Sequence, residues 1–288
     1  MSKQLKQRLL MGSLATIITL LSIYYSYIPW FTPIFVLLNA SFISCALWEY
    51  YRLAKNKGVQ PLMILGVFFT ICYVISIYLG QQYPVLHFLP PLVLFTTLVV
   101  AFLAFFNQQA GPVNNLAITL FGIAYLTIPL SFGLKINYFP FQDNIEDGRL
   151  WLAYVLVIAK MTDTGAYIFG KSFGKTKLVP HISPKKTVEG AIGGLIAAMA
   201  ASVFFYLYFD HPQALSPLKM TLWQSIWLSL FISLFAQFGD LAESILKRDA
   251  GVKDSSDLPG LGGMLDVVDS LVFTLPFMYF ILKMKLLT

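Results

Sequence analysis

Nine stretches of the chain are continuously apolar, without the alternation of a half-buried strand: 9–28, 31–50, 62–80, 85–106, 115–134, 150–170, 188–209, 222–246 and 264–282. An α-helix crosses the hydrocarbon core of a bilayer with about 20 such residues. A spanning chain must satisfy its backbone internally, so continuous apolar runs predict helices and not an open sheet. The expected fold is an all-α integral membrane protein of about nine transmembrane helices, placed in a cell membrane and most simply in a bacterial inner membrane. Lys3, Lys6 and Arg8 precede the first run as in a signal peptide. That run is too long and has no small-x-small site before Pro29, so it reads as a retained helix.

Composition narrows the class further. Of 288 residues 57% are hydrophobic and only 12% charged, with mean hydropathy +0.71, which excludes a soluble domain, a disordered chain and a coiled coil. The net charge of +6 does not imply nucleic acid, because its distribution has a membrane explanation. With the N-terminus cytoplasmic, fourteen of the twenty Lys and Arg residues fall on the cytoplasmic side, as the positive-inside rule requires. Cys45 and Cys72 lie inside apolar runs with no CxxC neighbour, so neither a disulfide framework nor a zinc site is supported.

Two halves differ in chemistry. Residues 1–149 carry almost nothing ionisable in their apolar segments except Glu49 at an end, and read as scaffold helices. Residues 150–288 hold Lys160, Asp163, Glu189, Asp240, Glu243, Asp266 and Asp269 in or beside their segments, with polar loops at 171–187 and 247–263. Ionisable groups at such depths are costly and mark function. This half is expected to carry an active site at the cytoplasmic face.

One apparent motif is a decoy. Gly165 to Ser172 fits G-x-x-x-x-G-K-[ST], but a phosphate-binding P-loop stands between a strand and a helix, whereas this match ends an apolar helix.

Three clusters remain. Gln237, Gly239, Asp240, Glu243, Ser244, Lys247 and Arg248 end the eighth segment, and offsets of three, four and seven place Glu243, Ser244 and Lys247 on the face of Asp240. The face suits either an ion pair or an oxygen-ligand site for a hard cation. Asp266 and Asp269 follow the glycine-rich Pro259–Gly263 stretch at i and i+3, where the helix dipole alone could favour an acid. Because a loop of only some 17 residues joins the two segments, Asp240 and Asp266 can share one depth, and Mg²⁺ suits one or two carboxylates plus phosphates. The third cluster is His181 to Gly190. Ser183 followed by Pro184 predicts an N-cap with proline at N1, which puts Lys185, Lys186 and Thr187 in a first helical turn able to hold an anion. The alternative is a lipid-headgroup anchor. For Asp163 a buried pair with Lys160 competes with a place in the same cavity. No role is assigned to His87, His181 or His211.

These residues resemble the CDP-diacylglycerol synthase, or phosphatidate cytidylyltransferase, family. The family signature S-x-x-K-R-x-x-x-x-K-D, then P-G-H-G-G-x-x-D-R-x-D, is met by Ser244, Lys247, Arg248, Lys253 and Asp254, then by Pro259, Gly260, Gly262, Gly263, Asp266 and Asp269. Asp163-Thr-Gly-Ala-Tyr and Ser183-Pro-Lys-Lys-Thr-Val-Glu-Gly190 are similar to its two upstream motifs. Leu261 replaces the family's His, Val267 its Arg, and the stretch between Asp254 and Gly262 is one residue shorter, so the chain resembles a divergent member.

The resemblance implies synthesis of CDP-diacylglycerol and pyrophosphate from CTP and phosphatidate. It implies catalytic Asp240, Asp266, Asp269 and Lys247, with the three aspartates on Mg²⁺ and a second, monovalent cation left open. Substrate contacts would come from Asp163, Ser183, Lys185, Lys186, Thr187, Glu189, Ser244, Arg248, Lys253 and Asp254. It further implies a homodimer among membrane lipids. A secondary transporter is the rival outside enzymes, though no internal repeat is visible. A CTP-dependent polyprenol kinase is the rival within them.

Overall fold

A computed structural model of the chain describes residues 16–106, 111–141, 146–209, 218–253, 255, 263–284 and 286. A short apolar helix, α1 (Thr16–Tyr25), lies within the first predicted run, whose residues 9–15 are outside the described set. Eight helical spans among the described residues are long and apolar enough to cross a membrane, and they coincide with the second to ninth predicted segments. They are α2 (Thr32–Asn56), α3 (Met63–Gln82), Pro84–Phe105 containing α4 (Leu89–Phe105), α5 (Pro112–Asn137), α6 (Gly148–Phe173), α7 (Val188–Phe209), α8 (Leu222–Asp249), and a final span made of α9 (Met264–Val268) and α10 (Leu271–Lys283). The protein is an all-α, multi-pass protein of the cell membrane.

The chain forms two compact units. The first comprises 1–135 with 246–268, and the second 136–245 with 269–288. The end of α8 and all of α9 thus belong with the N-terminal helices.

In the first unit, fully buried Tyr51 of α2 donates to the Thr119 carbonyl of α5 at 2.8 Å, and Thr70 and Thr127 pair at 2.7 Å. Polar groups inside a membrane bundle need such partners. Gly122 makes room for them, since a Cβ there would lie 2.8 Å from atoms of Leu47, Tyr50 and Tyr51. Helix α8 ends in a Schellman turn: Val252 N bonds to Lys247 O across Gly251, whose φ of +71° suits glycine.

In the second unit, α6 and α7 meet through small residues. A Cβ on Gly165 would lie 2.5 Å from Ala197 Cβ and 2.7 Å from the Gly193 carbonyl, so the contact depends on glycine, as in other close membrane helix pairs. Residues Gly165 to Ser172 are continuously helical within α6, which disposes of the P-loop match.

The loop before α7 departs from expectation. Lys177–Val179 (β1) and Ser183–Thr187 (β2) pair antiparallel as a short hairpin. Ser183 is therefore not the N-cap, and Lys185 and Lys186 do not occupy a helical turn. Helix α7 starts at Val188, and the cap is Thr187, whose Oγ1 accepts from Gly190 N at 3.1 Å. The physical reason is that pairing with β1 satisfies the backbone of 183–187 in extended form, outweighing the local proline signal.

Candidate active site

The second unit gathers acids from α8 and from the turn between α9 and α10. Asp240 and Glu243 lie one turn apart on α8, and Asp269 sits in the turn between α9 and α10. Gly239 is what lets that turn in: a Cβ on it would overlap the Asp269 carbonyl oxygen and lie 3.3 Å from Ser270 Cα. One carboxylate oxygen from each of Asp240, Glu243 and Asp269 lies within 4.8 Å of the others. Glu243 is fully buried and Asp269 nearly so, while the Asp240 side chain stays 35% exposed. Two like charges about 4 Å apart repel by about 4 kcal/mol at the effective dielectric of a protein, so the arrangement favours a bound cation. The donors are all hard oxygens, which fits Mg²⁺ chemistry.

Lysines already face this acid group. Lys186 of β2 reaches Asp240 at 2.6 Å. Side chains alternate along a strand, so Lys186 and Lys185 point to opposite faces, and only the former is turned to the acids. Asp163 of α6 pairs with Lys160 at 3.5 Å, with both side chains more than a third exposed, so this pair forms but is not buried. Asp163 also lies within electrostatic reach of Asp240 and Lys186.

Other predicted contacts have local partners. Glu189 accepts from the Lys175 and Thr176 amides at 3.1 Å, which ties the hairpin to the start of α7. Thr187 is the cap described above, and Ser183 lies at the hairpin end of β2.

The first unit holds the rest. Lys247 and Asp266 form an ion pair, their side chains 10% and 17% exposed. Asp266 Oδ2 also accepts from Gly263 N at 2.7 Å and from Ser255 Oγ at 3.0 Å. Arg248 donates to the Val252 carbonyl at 2.9 Å, and Lys253 is exposed. Ser244, which belongs to the second unit, is buried on α8. Asp254 and Leu261 lie outside the described residues.

Two acids exceed the predicted site list. Glu243 was visible as a helical neighbour of Asp240 but had no motif position to mark it. Glu49, buried on α2, accepts from Ser255 Oγ, Met264 N and Leu265 N, more than 200 residues along the chain. Its only sequence signal was being the one acid inside the apolar segments of residues 1–149.

A test of this geometry keeps every carboxylate. Gly239→Ala is expected to push the Asp269 backbone off α8 and lower activity about 10–100-fold, the range for a change behind metal ligands. Unchanged kinetics would separate Gly239 from the placement of Asp269.

Residues 6–285 match the pattern of the Cytidylyltransferase family. The chain is 34% identical over 293 residues to the phosphatidate cytidylyltransferase of Bacillus subtilis, covering 97% of this chain and 98% of that protein. It is 31% identical over 290 residues to the Chlamydia pneumoniae protein of the same name, covering 96% and 91%. The match to the Chlamydia muridarum phosphatidate cytidylyltransferase, 37% identical over 177 residues, spans 61% of this chain and 57% of that relative's length.

Proposed function

This chain belongs to the cytidylyltransferase family, and on that premise we propose that it makes CDP-diacylglycerol and pyrophosphate from CTP and phosphatidate. The observation that carries the reading is the Asp240, Glu243 and Asp269 group with Lys186 on its open edge. A phosphate oxygen of phosphatidate attacks the α-phosphorus of CTP, the new P–O bond forms, and the bond to the β-phosphate breaks to release pyrophosphate. The nucleophile is already anionic, so no Ser/His pair is required, and catalysis rests on positioning and charge neutralisation.

Asp240, Glu243 and Asp269 would hold Mg²⁺, which when bound supplies charge neutralisation at the reacting phosphates. The resemblance implies a metal role for Asp266 as well. Both Asp240 and Asp266 are paired with lysines, Lys186 and Lys247 respectively. In our reading each ammonium moves from its aspartate to a substrate phosphate on binding, which frees the carboxylate. Arg248 and Lys253 add positive charge for the triphosphate, and Lys185, Ser183, Thr187, Glu189, Ser244, Asp163 and Asp254 keep the substrate-contact roles that the motifs imply. The proposal also keeps a cytoplasmic N-terminus, a scaffold half at 1–149 and a catalytic half at 150–288. A homodimer and a monovalent second cation are its finer parts.

The relatives are named phosphatidate cytidylyltransferase, which favours this reading over the transporter and the polyprenol kinase. Purified protein in detergent micelles, given phosphatidate, labelled CTP and Mg²⁺, is expected to form CDP-lipid and pyrophosphate in equal amounts. CDP with a phosphorylated polyprenol would favour the kinase instead, and failure to turn over CTP with any lipid phosphate would overturn the assignment.

A further inference from the structure

Glu49 stands apart from every residue used so far. It is carried by α2, is 7% exposed, and spends its carboxylate on a segment 206 to 216 residues away. Oε1 accepts from Met264 N at 2.9 Å, and Oε2 accepts from Leu265 N at 2.9 Å and from Ser255 Oγ at 2.8 Å.

Met264 and Leu265 are the first two residues of α9, and their amides have no partner within the helix. Such amides are ordinarily met by the side chain of the residue before them. Here that residue is Gly263, which has no side chain to offer. A Cβ on it would collide with Ser255 Oγ and with Glu49 Oε2. The glycine thus vacates the capping position, and a carboxylate from α2 fills it. Asp266, at the third helical position, completes the arrangement by reaching back to Gly263 N at 2.7 Å, the returning half of a capping box.

The Ser255 hydroxyl joins the two acids. It lies 2.8 Å from Glu49 and 3.0 Å from Asp266, and it has one hydrogen to share between them. Lys247 holds the other oxygen of Asp266. The rotamer of Asp266, and through it the place of the Lys247 ammonium, is therefore set by a cap whose central member is Glu49.

We propose that Glu49 is a positioning residue of the reaction, fixing the start of α9 so that Asp266 and Lys247 stand in their working orientation. The inference rests on the roles given to Asp266 and Lys247 under the proposed function. Glutamine is the informative replacement. It keeps the shape of the side chain, but turns an NH₂ toward groups that are themselves donors, so at least one of the three bonds is lost. Space is not limiting, since Glu49 borders a cavity of about 380 Å³ lined also by Ser44, Trp48, Arg52, Val67 and Met264.

The experiment compares wild type, Glu49→Gln, Glu49→Asp and Asp266→Asn in micelles, by steady-state kinetics, thermal melting and amide hydrogen exchange of the 263–266 segment. Glu49→Gln is expected to lower kcat about 10–100-fold, as substitutions behind catalytic ligands do, with the melting temperature little changed. Exchange at 264–265 should quicken, and Glu49→Asp should recover part of both losses because it keeps the charge. Wild-type kcat in Glu49→Gln, or faster exchange with no kinetic change, overturns the positioning role while a dead Asp266→Asn leaves the site assignment standing. Full activity in Asp266→Asn overturns the site assignment itself. If Glu49→Gln does not accumulate, Ser255→Ala carries the same test, and unchanged kcat with unchanged exchange there counts against the proposal.

Discussion

Asp240→Asn is expected to reduce CDP-diacylglycerol formation by about 10²–10³-fold, with insertion and yield unaffected. Asparagine is nearly isosteric with aspartate, so helix α8 loses no packing. What it loses is one negative charge from a group of three whose oxygens lie within 4.8 Å of one another. A metal centre contributes several kcal/mol to a developing phosphoryl charge, and each ~1.4 kcal/mol is tenfold in rate. The substitution also releases Lys186, whose ammonium sits 2.6 Å from the Asp240 carboxylate. The measurement is initial rate against Mg²⁺ concentration in micelles. A near-normal rate at every Mg²⁺ concentration would remove Asp240 from the centre.

Lys247→Met should cost both stability and activity. Its ammonium is the cation paired with Asp266, in surroundings where neither side chain is more than 17% exposed. Removing one member of a buried pair costs about 3–5 kcal/mol because the other is left uncompensated, and the partial exposure here points to the lower end. The remaining Asp266 would share the Ser255 hydroxyl with Glu49, two carboxylates with no positive charge between them. The double variant Lys247→Met/Asp266→Asn removes that conflict, so it should recover most of the melting temperature and none of the activity. Recovery of activity as well would show that Lys247 serves only to neutralise Asp266. No stability change in the single variant would show that the pair contributes nothing measurable.

The exposed Lys57–Asp249 pair makes a useful contrast. It joins the ends of α2 and α8 at 3.1 Å, but both side chains are about half or more open to solvent. Pairs of that kind contribute roughly 0–1 kcal/mol, so its loss should be near silent while that of Lys247 is not.

Helical spacing, a short connecting loop and the cytidylyltransferase motifs together made the acids at 240, 266 and 269 legible as one chemical set. They did not reveal how the folded chain distributes them. Asp269 falls with Asp240 in the second unit, and Asp266 with Lys247 and Glu49 in the first. Consecutive positions of one short signature went to different units because the chain turns between α9 and α10, and a helical offset of i and i+3 says nothing about a turn. The lysines of the upstream motif show the same limit. A proline at a helix start and a proline in a strand look alike in sequence, and the partner strand that decided for the strand lies across the Pro180 turn.

What the sequence determined by itself was the class and the spans. The length of a membrane helix answers to the thickness of the bilayer, a constraint acting along the chain one segment at a time, so hydropathy alone located eight spans within a few residues. The type of chemistry was legible for a related reason, since ionisable residues inside such spans are kept only where they have work to do. Tertiary structure alone decided which carboxylates gather within 4.8 Å of one another, which lysine reaches them, and that a glutamate on α2 caps the helix of Asp266. Those are contacts between residues 26 to more than 200 positions apart, made where glycines at 239 and 263 let backbones and side chains close in. No periodicity in the chain records which distant segment will fill the space that a missing Cβ leaves.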